Sequence, residues 1–363
     1  MSETGRDAPS IAMVIAADVI GGHEFQARAL ADDLVRLCRV TIYLNREEHL
    51  PVFESAAAEI EIHAGLFLTK GWLGKQVFRG VRRRRRIRRL LEHHDYVIVC
   101  GGTVEAGVCT SLALDRPRKS ILYLPSFYDR TVKWNKPIGC AYNLLLGWFG
   151  IFYKCIITIN HIQARLIGGF LHRPTLIVPN LVKILPKSAA NYPPRILCIG
   201  RLDRQKRIPE LLRWLDFAEN PFPEIVVIGD GPDKTAVLHL SASLQHIRVN
   251  LVGWKSPLEQ DDLIGSRDIL ILNSLIEGEP LVIREAHARG IAVLARNIVG
   301  IRGVTKKANR FNDQAELRQA LQNLPEIRPV APPSRARRER LILRAFKSIT
   351  QAQNSARTSG YIP

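Results

Sequence analysis

A chain of 363 residues with 46% hydrophobic and 24% charged side chains is too long for one ordinary core, comfortable for two, and too apolar for a disordered protein. Its net charge of +18 and pI near 10.0 turn the surface toward polyanions: nucleic acid, anionic headgroups or phosphate-bearing substrates. The six cysteines (Cys38, Cys100, Cys109, Cys140, Cys155, Cys198) form no CxxC pair and no Cys/His spacing, which argues against a disulfide framework or zinc site and fits a reducing cytoplasm.

Met1–Ser10 is polar, and no basic segment precedes the apolar run Ile11–Ala17, so that run reads as a buried strand and not as a secretory signal. Gly21-Gly22 and an amphipathic stretch, Glu24–Leu37, follow it. Further strands are expected at Val40–Leu44, Tyr96–Cys100, Ser120–Leu124 and Cys155–Ile159, with helical patterns between them. Short apolar runs alternating with helices imply βαβ units and a mainly parallel sheet. Ile138–Ile159 is apolar enough to suggest a membrane span. Asn143, Gly147, Gly150 and Lys154 interrupt it, so the expectation is a helix that runs into the fifth strand, facing a membrane or buried between domains. Cys38, Cys100 and Cys198 lie in apolar surroundings and read as small buried side chains, not nucleophiles.

Lys183–Pro194 reads as a linker. A second series of strands is expected at Arg195–Ile199, Glu224–Ile228, Val249–Val252, Ile269–Leu272 and Ala292–Ala295. Two doubly wound units in tandem suggest a cleft lined by loops at the carboxyl ends of the strands. The division is residues 1–182, 183–334 and 335–363; the last is a basic helix, capped by Ser334 and reaching about Gln351, able to pack back on the first domain, followed by a frayed tail.

Three loops of the second half carry chemistry. Gly200-Arg201-Leu202-Asp203-Arg204-Gln205-Lys206 follows a strand directly; its glycine permits a tight turn, and Arg201 and Lys206 suit a diphosphate. Gly229-Asp230-Gly231-Pro232 is a second loop able to admit a ligand. In the third, Ser274 to Ala286, Glu277 precedes a helix and Glu285 lies within it, and the helix start offers unpaired N–H groups to a phosphate. Taken one at a time, the cations could equally be a solvated loop pair and the glutamates ordinary helix-start charges; His23 alone fits a ligand contact and a satisfied loop side chain equally well.

In order, Gly-Arg-x4-Lys, Gly-x-Gly-Pro, Glu-x7-Glu and the step Gly290-Ile291-Ala292-Val293 resemble the nucleotide-sugar half of the family 4 retaining glycosyltransferases, over about Pro179–Val299. Gly21-Gly22-His23-Glu24 with Ala27, Leu30 and Ala31 is similar to that family's first loop and helix. The resemblance implies the GT-B fold, two facing Rossmann-like doubly wound α/β domains, and no bound metal or other cofactor; the absence of any Asp-x-Asp sequence agrees. It implies that Arg201 and Lys206 hold the donor diphosphate, that Glu277 contacts the transferred sugar near its reacting centre, and that Glu285 grips the ribose. Gly278, Pro280, Leu281 and Val282 then belong to the loop whose amides meet sugar and phosphate, and Gly22 to the first-domain loop beside the donor. Two departures stand out. Tyr123-Leu124-Pro125-Ser126-Phe127-Tyr128 lacks the histidine the family often carries there, and the glycine-rich stretch after the second glutamate is degraded to Gly300-Ile301-Arg302-Gly303-Val304.

Arg82, Arg83, Arg84, Arg85, Arg86, Arg88 and Arg89 lie in a helical stretch leading to Tyr96, more arginine than solubility needs. They suit anionic lipid, at about 1 kcal/mol for each basic residue near the surface, with Phe67, Leu68, Trp72, Leu73, Val77 and Phe78 as an apolar contact. No basic–aromatic pattern points to nucleic acid. The expectation is a glycosyltransferase moving a hexose-type sugar from a nucleotide-sugar donor to a lipid-linked or glycan acceptor, in surface polysaccharide or lipopolysaccharide synthesis at the cytoplasmic face of a membrane. The alternatives are a silent GT-B binding subunit and a nucleotide-sugar epimerase.

Overall fold

The structure, a computed structural model, describes residues 9–16, 22–54, 58–63, 73–101, 106, 109, 119–125, 136–171, 173–180, 192–255, 257–323 and 336–344. The chain divides into two compact units, Met1–Leu181 with Pro333–Pro363, and Val182–Pro332.

The first unit runs β1 (Ser10–Ile15), α1 (Gly22–Leu34), β2 (Arg39–Leu44), α2 (Leu50–Phe53), β3 (Glu59–Ile62), α3 (Leu73–Leu91), β4 (Tyr96–Cys100), β5 (Ser120–Tyr123), α4 (Lys136–Gly150), β6 (Cys155–Thr158), α5 (His161–Leu171) and β7 (Thr175–Ile177). Its strands are all parallel, in the order β3-β2-β1-β4-β5-β6-β7. A strand covered on both faces needs apolar residues at successive positions, and β1, β4, β5 and β6 are buried throughout. Alternate residues feed two cores. Ile11, Met13 and Ile15 pack with Ala27, Leu30 and Leu34 of α1, whereas Ala12, Val14, Val97 and Val99 pack with Ile87 and Leu91 of α3, Leu146 and Phe149 of α4, and Ile167 of α5.

The second unit runs β8 (Ile196–Ile199), α6 (Ile208–Leu215), β9 (Glu224–Ile228), α7 (Lys234–Ser241), β10 (Arg248–Gly253), α8 (Pro257–Asp261), β11 (Ile269–Leu272), α9 (Leu281–Arg289), β12 (Ala292–Arg296), β13 (Arg310–Phe311) and α10 (Gln314–Gln322). This sheet is also parallel throughout, in the order β10-β9-β8-β11-β12-β13. The order reverses beside β8, so the loops after β8 and β11 flank the switch point where ligands bind in such sheets.

After the second unit the chain contributes a further helical stretch, 336–344, to the first. Ile342 is fully buried in the α1 core. Arg338, 1% exposed, meets the equally buried Asp33 of α1 at 3.0 Å, and Arg36 pairs with Glu339 at 3.1 Å.

Each expected strand is present within two residues of its expected limits. The sequence reading passed over β3, β7 and β13, which lie on sheet edges and are short and only partly buried. Ile138–Ile159 is a helix ending at Gly150 and a separate strand, β6. The expected linker falls largely outside the described residues, as do Ser334, 345–351 and the tail. Burial pushes the thiols of Cys38 and Cys198 up to about 12 and that of Cys100 higher, so all three stay protonated and unreactive.

Candidate functional site

The four loops that follow β8, β9, β11 and β12 are knitted together by backbone contact. Gly200 donates its N–H to Ile228 O at 3.0 Å, and Leu202 N–H donates to Asp230 O at 2.9 Å. A Cβ on Gly229, at φ +156°, would stand 1.9 Å from Gly200 O, so only glycine lets these two loops approach. The loop after β8 also docks on the loop after β11. Leu275 N–H donates to Gln205 O at 2.8 Å, and Gln205 Nε2 donates to Ile276 O at 2.9 Å. Gly300 closes the set: its Cβ would lie 1.8 Å from Glu277 O. The stretch read as degraded thus keeps the one glycine that backs the first glutamate.

Within this frame Lys206 Nζ and Glu277 Oε1 lie 2.5 Å apart, with side chains 19% and 9% exposed. Asp203 sets the turn that delivers the lysine: its Oδ1 accepts from Gln205 N–H at 3.0 Å and Lys206 N–H at 3.2 Å. Its other oxygen holds the guanidinium of Arg201 at 2.5 Å, leaving that cation half-exposed at the rim. Arg207 adopts the left-handed conformation (φ 54°, ψ 38°) and is the sole positive-φ non-glycine among the described residues. Its side chain pairs with Glu210. Strain of this kind, about 1–3 kcal/mol, persists where surrounding structure over-determines it and clusters at functional sites.

Gly278 and Pro280 are buried, and Leu281 and Val282 open α9. Pro280, its N-cap, has no side-chain oxygen for the first-turn N–H groups, which suits that end to an anion. The intervening Glu279 is taken up by Arg284 at 2.5 Å. Glu285 sits one turn into α9 beside Arg289, itself paired with Asp261 at 2.7 Å. Burial raises the Glu285 carboxyl above the ordinary carboxylate range, opposed by Arg289 and reinforced by Asp261.

The structure therefore brings Lys206, Glu277 and the Gly278–Val282 loop together. Arg201 it pairs with Asp203, and Glu285 it sets deeper on α9. Gly22 opens α1 of the first unit. The side chain of His23 and residues 126–128 lie outside the described residues. Sequence reasoning missed Gln205, which clamps the two loops. It also missed Trp254, 64% exposed after Gly253 at the end of β10, where Gly253 O accepts from Gly229 N–H at 2.8 Å. A tryptophan directly after a strand-ending glycine was the available signal. Asn273 and Ser274, both 1% exposed, keep an amide nitrogen and a hydroxyl without hydrogen-bond partners at the head of the Glu277 loop, while the Asn273 carbonyl oxygen accepts from Arg296 at 3.1 Å.

Of the arginine run, Arg82, Arg84, Arg85, Arg86, Arg88 and Arg89 are exposed and Arg83 is half-buried, while Ile87 and Leu91 turn inward. Phe78, 62% exposed, lies under the Arg82 guanidinium at 5.9 Å. Phe67, Leu68, Trp72 and the side chains of Leu73 and Val77 fall outside the described residues.

Residues 183–325 match the family described as Glycosyl transferases group 1. TuaC of Bacillus subtilis (strain 168), assigned as a teichuronic acid biosynthesis glycosyltransferase, is 28% identical over 124 residues. That alignment takes in 34% of this chain and 30% of the relative. Among solved structures, Alr3699/HepE of Anabaena in complex with UDP-glucose is similar at TM-score 0.71 and 15% identity, over 95% of this chain and 99% of that one. Sucrose-phosphate synthase of Thermosynechococcus elongatus is similar at TM-score 0.71 and 16% identity, over 97% and 98%. The fold is GT-B.

Proposed function

We propose that the chain is a retaining, metal-independent glycosyltransferase that moves a hexose-type sugar from a nucleotide-sugar donor to a lipid-linked or polysaccharide acceptor. The single observation that carries this reading is the meeting of Lys206 and Glu277 at the head of α9. Departure of a nucleoside diphosphate builds negative charge on phosphate and positive charge on the sugar. A lysine for the first and a carboxylate for the second, fixed in advance by the Asp203 turn and the Gly300 contact, form a preorganised field. In the donor complex Lys206 exchanges part of its bond to Glu277 for the diphosphate, with Arg201 closing from the rim and the α9 amides taking remaining oxygens. Glu277 then faces the reacting sugar, Glu285 takes the ribose, and Trp254 offers a stacking face to the base. Retention follows the family resemblance. The surface-glycan acceptor follows the relative assigned to teichuronic acid synthesis. Work at the inner face of an anionic membrane follows the exposed arginines of α3.

Calorimetry and thermal shift against a panel of nucleoside diphosphates and nucleotide sugars test the reading. Selective binding is expected, lost in Lys206→Ala and in Glu285→Ala, with turnover in Lys206→Ala down by about 10²–10³-fold. Folded protein that binds no panel member would leave a silent subunit as the function. Interconversion of free nucleotide sugars, without release of nucleoside diphosphate, would make it an epimerase.

A further inference from the structure

Helix α4 presents an unusual outer face. From Pro137 to Tyr153 the chain contains no charged residue. Leu146 and Phe149 enter the core, and the opposite side shows Leu144 (69% exposed), Trp148 (57%) and, just past the helix end, Ile151 (42%). Separations of four and three residues set these on one stripe. Among the described residues of the helix the other exposed positions, Pro137, Cys140 and Ala141, are uncharged too. A helix lying on a soluble core normally turns charged residues outward. Single exposed apolar side chains are ordinary, but a continuous stripe of them marks a contact surface.

Charge identifies the occupant. α3 and α4 pack on the same face of the first sheet through Ile87, Leu91, Leu146 and Phe149. The strands they lead into, β4 and β6, are two positions apart, about 10 Å. The apolar stripe therefore shares its side of the unit with the exposed arginines of α3. Lys136 and Lys154 bracket it in sequence, and the Arg173 guanidinium donates a hydrogen bond to Ile151 O. Trp148 is braced by Phe149 and Phe152, with ring centroids 5.4 and 5.9 Å away. An apolar ridge with a braced tryptophan and cations around it has the chemistry of the boundary between acyl chains and anionic headgroups. At 15 residues α4 is about 22 Å long, short of a hydrocarbon layer of about 30 Å. Among the described residues no helix is long and apolar enough to cross a membrane.

We propose that α4 is a membrane-inserting element lying in the plane of the bilayer: Leu144, Trp148 and Ile151 enter the interfacial layer while the α3 arginines bind headgroups. This deepens the membrane part of the proposed function and does not depend on the donor chemistry.

Flotation with phosphatidylglycerol-containing vesicles at about 0.1 M and about 1 M salt separates insertion from charge, because at the higher salt exposed charges are screened beyond about 3 Å. Wild type is expected to float at both. A Leu144→Ser/Trp148→Ser variant should keep low-salt binding but lose about tenfold or more at high salt. A variant neutralised at Arg82–Arg86 should show the reverse pattern. Brominated phospholipids should quench wild-type fluorescence, and Trp148→Phe should remove that quenching. Nucleotide binding, followed by thermal shift in every variant, reports folding and the donor site separately. If the double variant floats like wild type at both salts, or wild type detaches wholly at high salt, insertion is overturned and the arginine surface stands. Concentration-dependent dimerisation abolished by the double variant, without flotation of wild type, would show that a second copy covers the stripe and overturn the proposal.

Discussion

The two units share one plan, an all-parallel doubly wound sheet, and spend their distinctive residues in different places. In the second unit, glycines and charges gather in the loops at the strand ends, where backbone meets backbone at Gly229 and Gly300 and Lys206 meets Glu277. In the first, the concentrated features lie in and on the helical layers: exposed arginines along α3, the apolar stripe of α4, and the buried Arg338–Asp33 pair. The contrast is instructive. A close backbone approach dictates both residue type and spacing, whereas a helix surface dictates only chemical character.

The largest expected effect lies in the first unit. Arg338→Ala leaves Asp33 charged and buried, and should cost about 3–5 kcal/mol. Two calorimetric transitions are expected, with the first unit's lowered and nucleotide binding by the second preserved. Pairing the change with Asp33→Leu should recover most of the loss. A matched fall in both transitions would break the contrast, since the units would then unfold as one.

Gly300→Ala sharpens it from the other side. The new methyl cannot coexist with Glu277 O, so the loop must shift, at about 1–3 kcal/mol. Donor affinity should fall in calorimetry while the first unit's transition is unchanged.

The smallest effect is at Glu285. Its carboxyl is raised in the folded state, so folding takes up protons there. The stability it contributes is complete below the unfolded carboxylate range and is lost as pH rises through the raised folded value. Glu285→Gln should thus raise the melting temperature at neutral pH, with the gain vanishing below about pH 4, while weakening donor binding. A destabilised Gln variant at neutral pH would mean that the charged form is better satisfied than its burial implies.

The same contrast explains what the sequence made legible. β1, β4, β9 and β11 announce themselves because strands covered on both faces need unbroken apolar runs. Edge strands escape that demand. β3 reads Glu-Ile-Glu-Ile, and β7 and β13 are three and two residues long. The Lys206 and Glu277 loops were legible because strand, glycine and charge recur at fixed spacing. Gln205 was not, since its side-chain bond to Ile276 O joins segments 71 positions apart and leaves no local pattern. Nor was the importance of Gly300, whose partner is a backbone carbonyl that any residue at 277 would supply.

The return of the chain to its first unit has a consequence in time. That unit precedes the second in the chain, yet Ile342 joins its core and Arg338 its buried ion pair from beyond the second unit. During synthesis at about 5–20 residues per second, the first 181 residues wait roughly ten to thirty seconds for these partners, while the whole second unit is made and can fold. The part translated first is thus the part finished last, and a chain cut short after its second unit would leave its beginning incomplete.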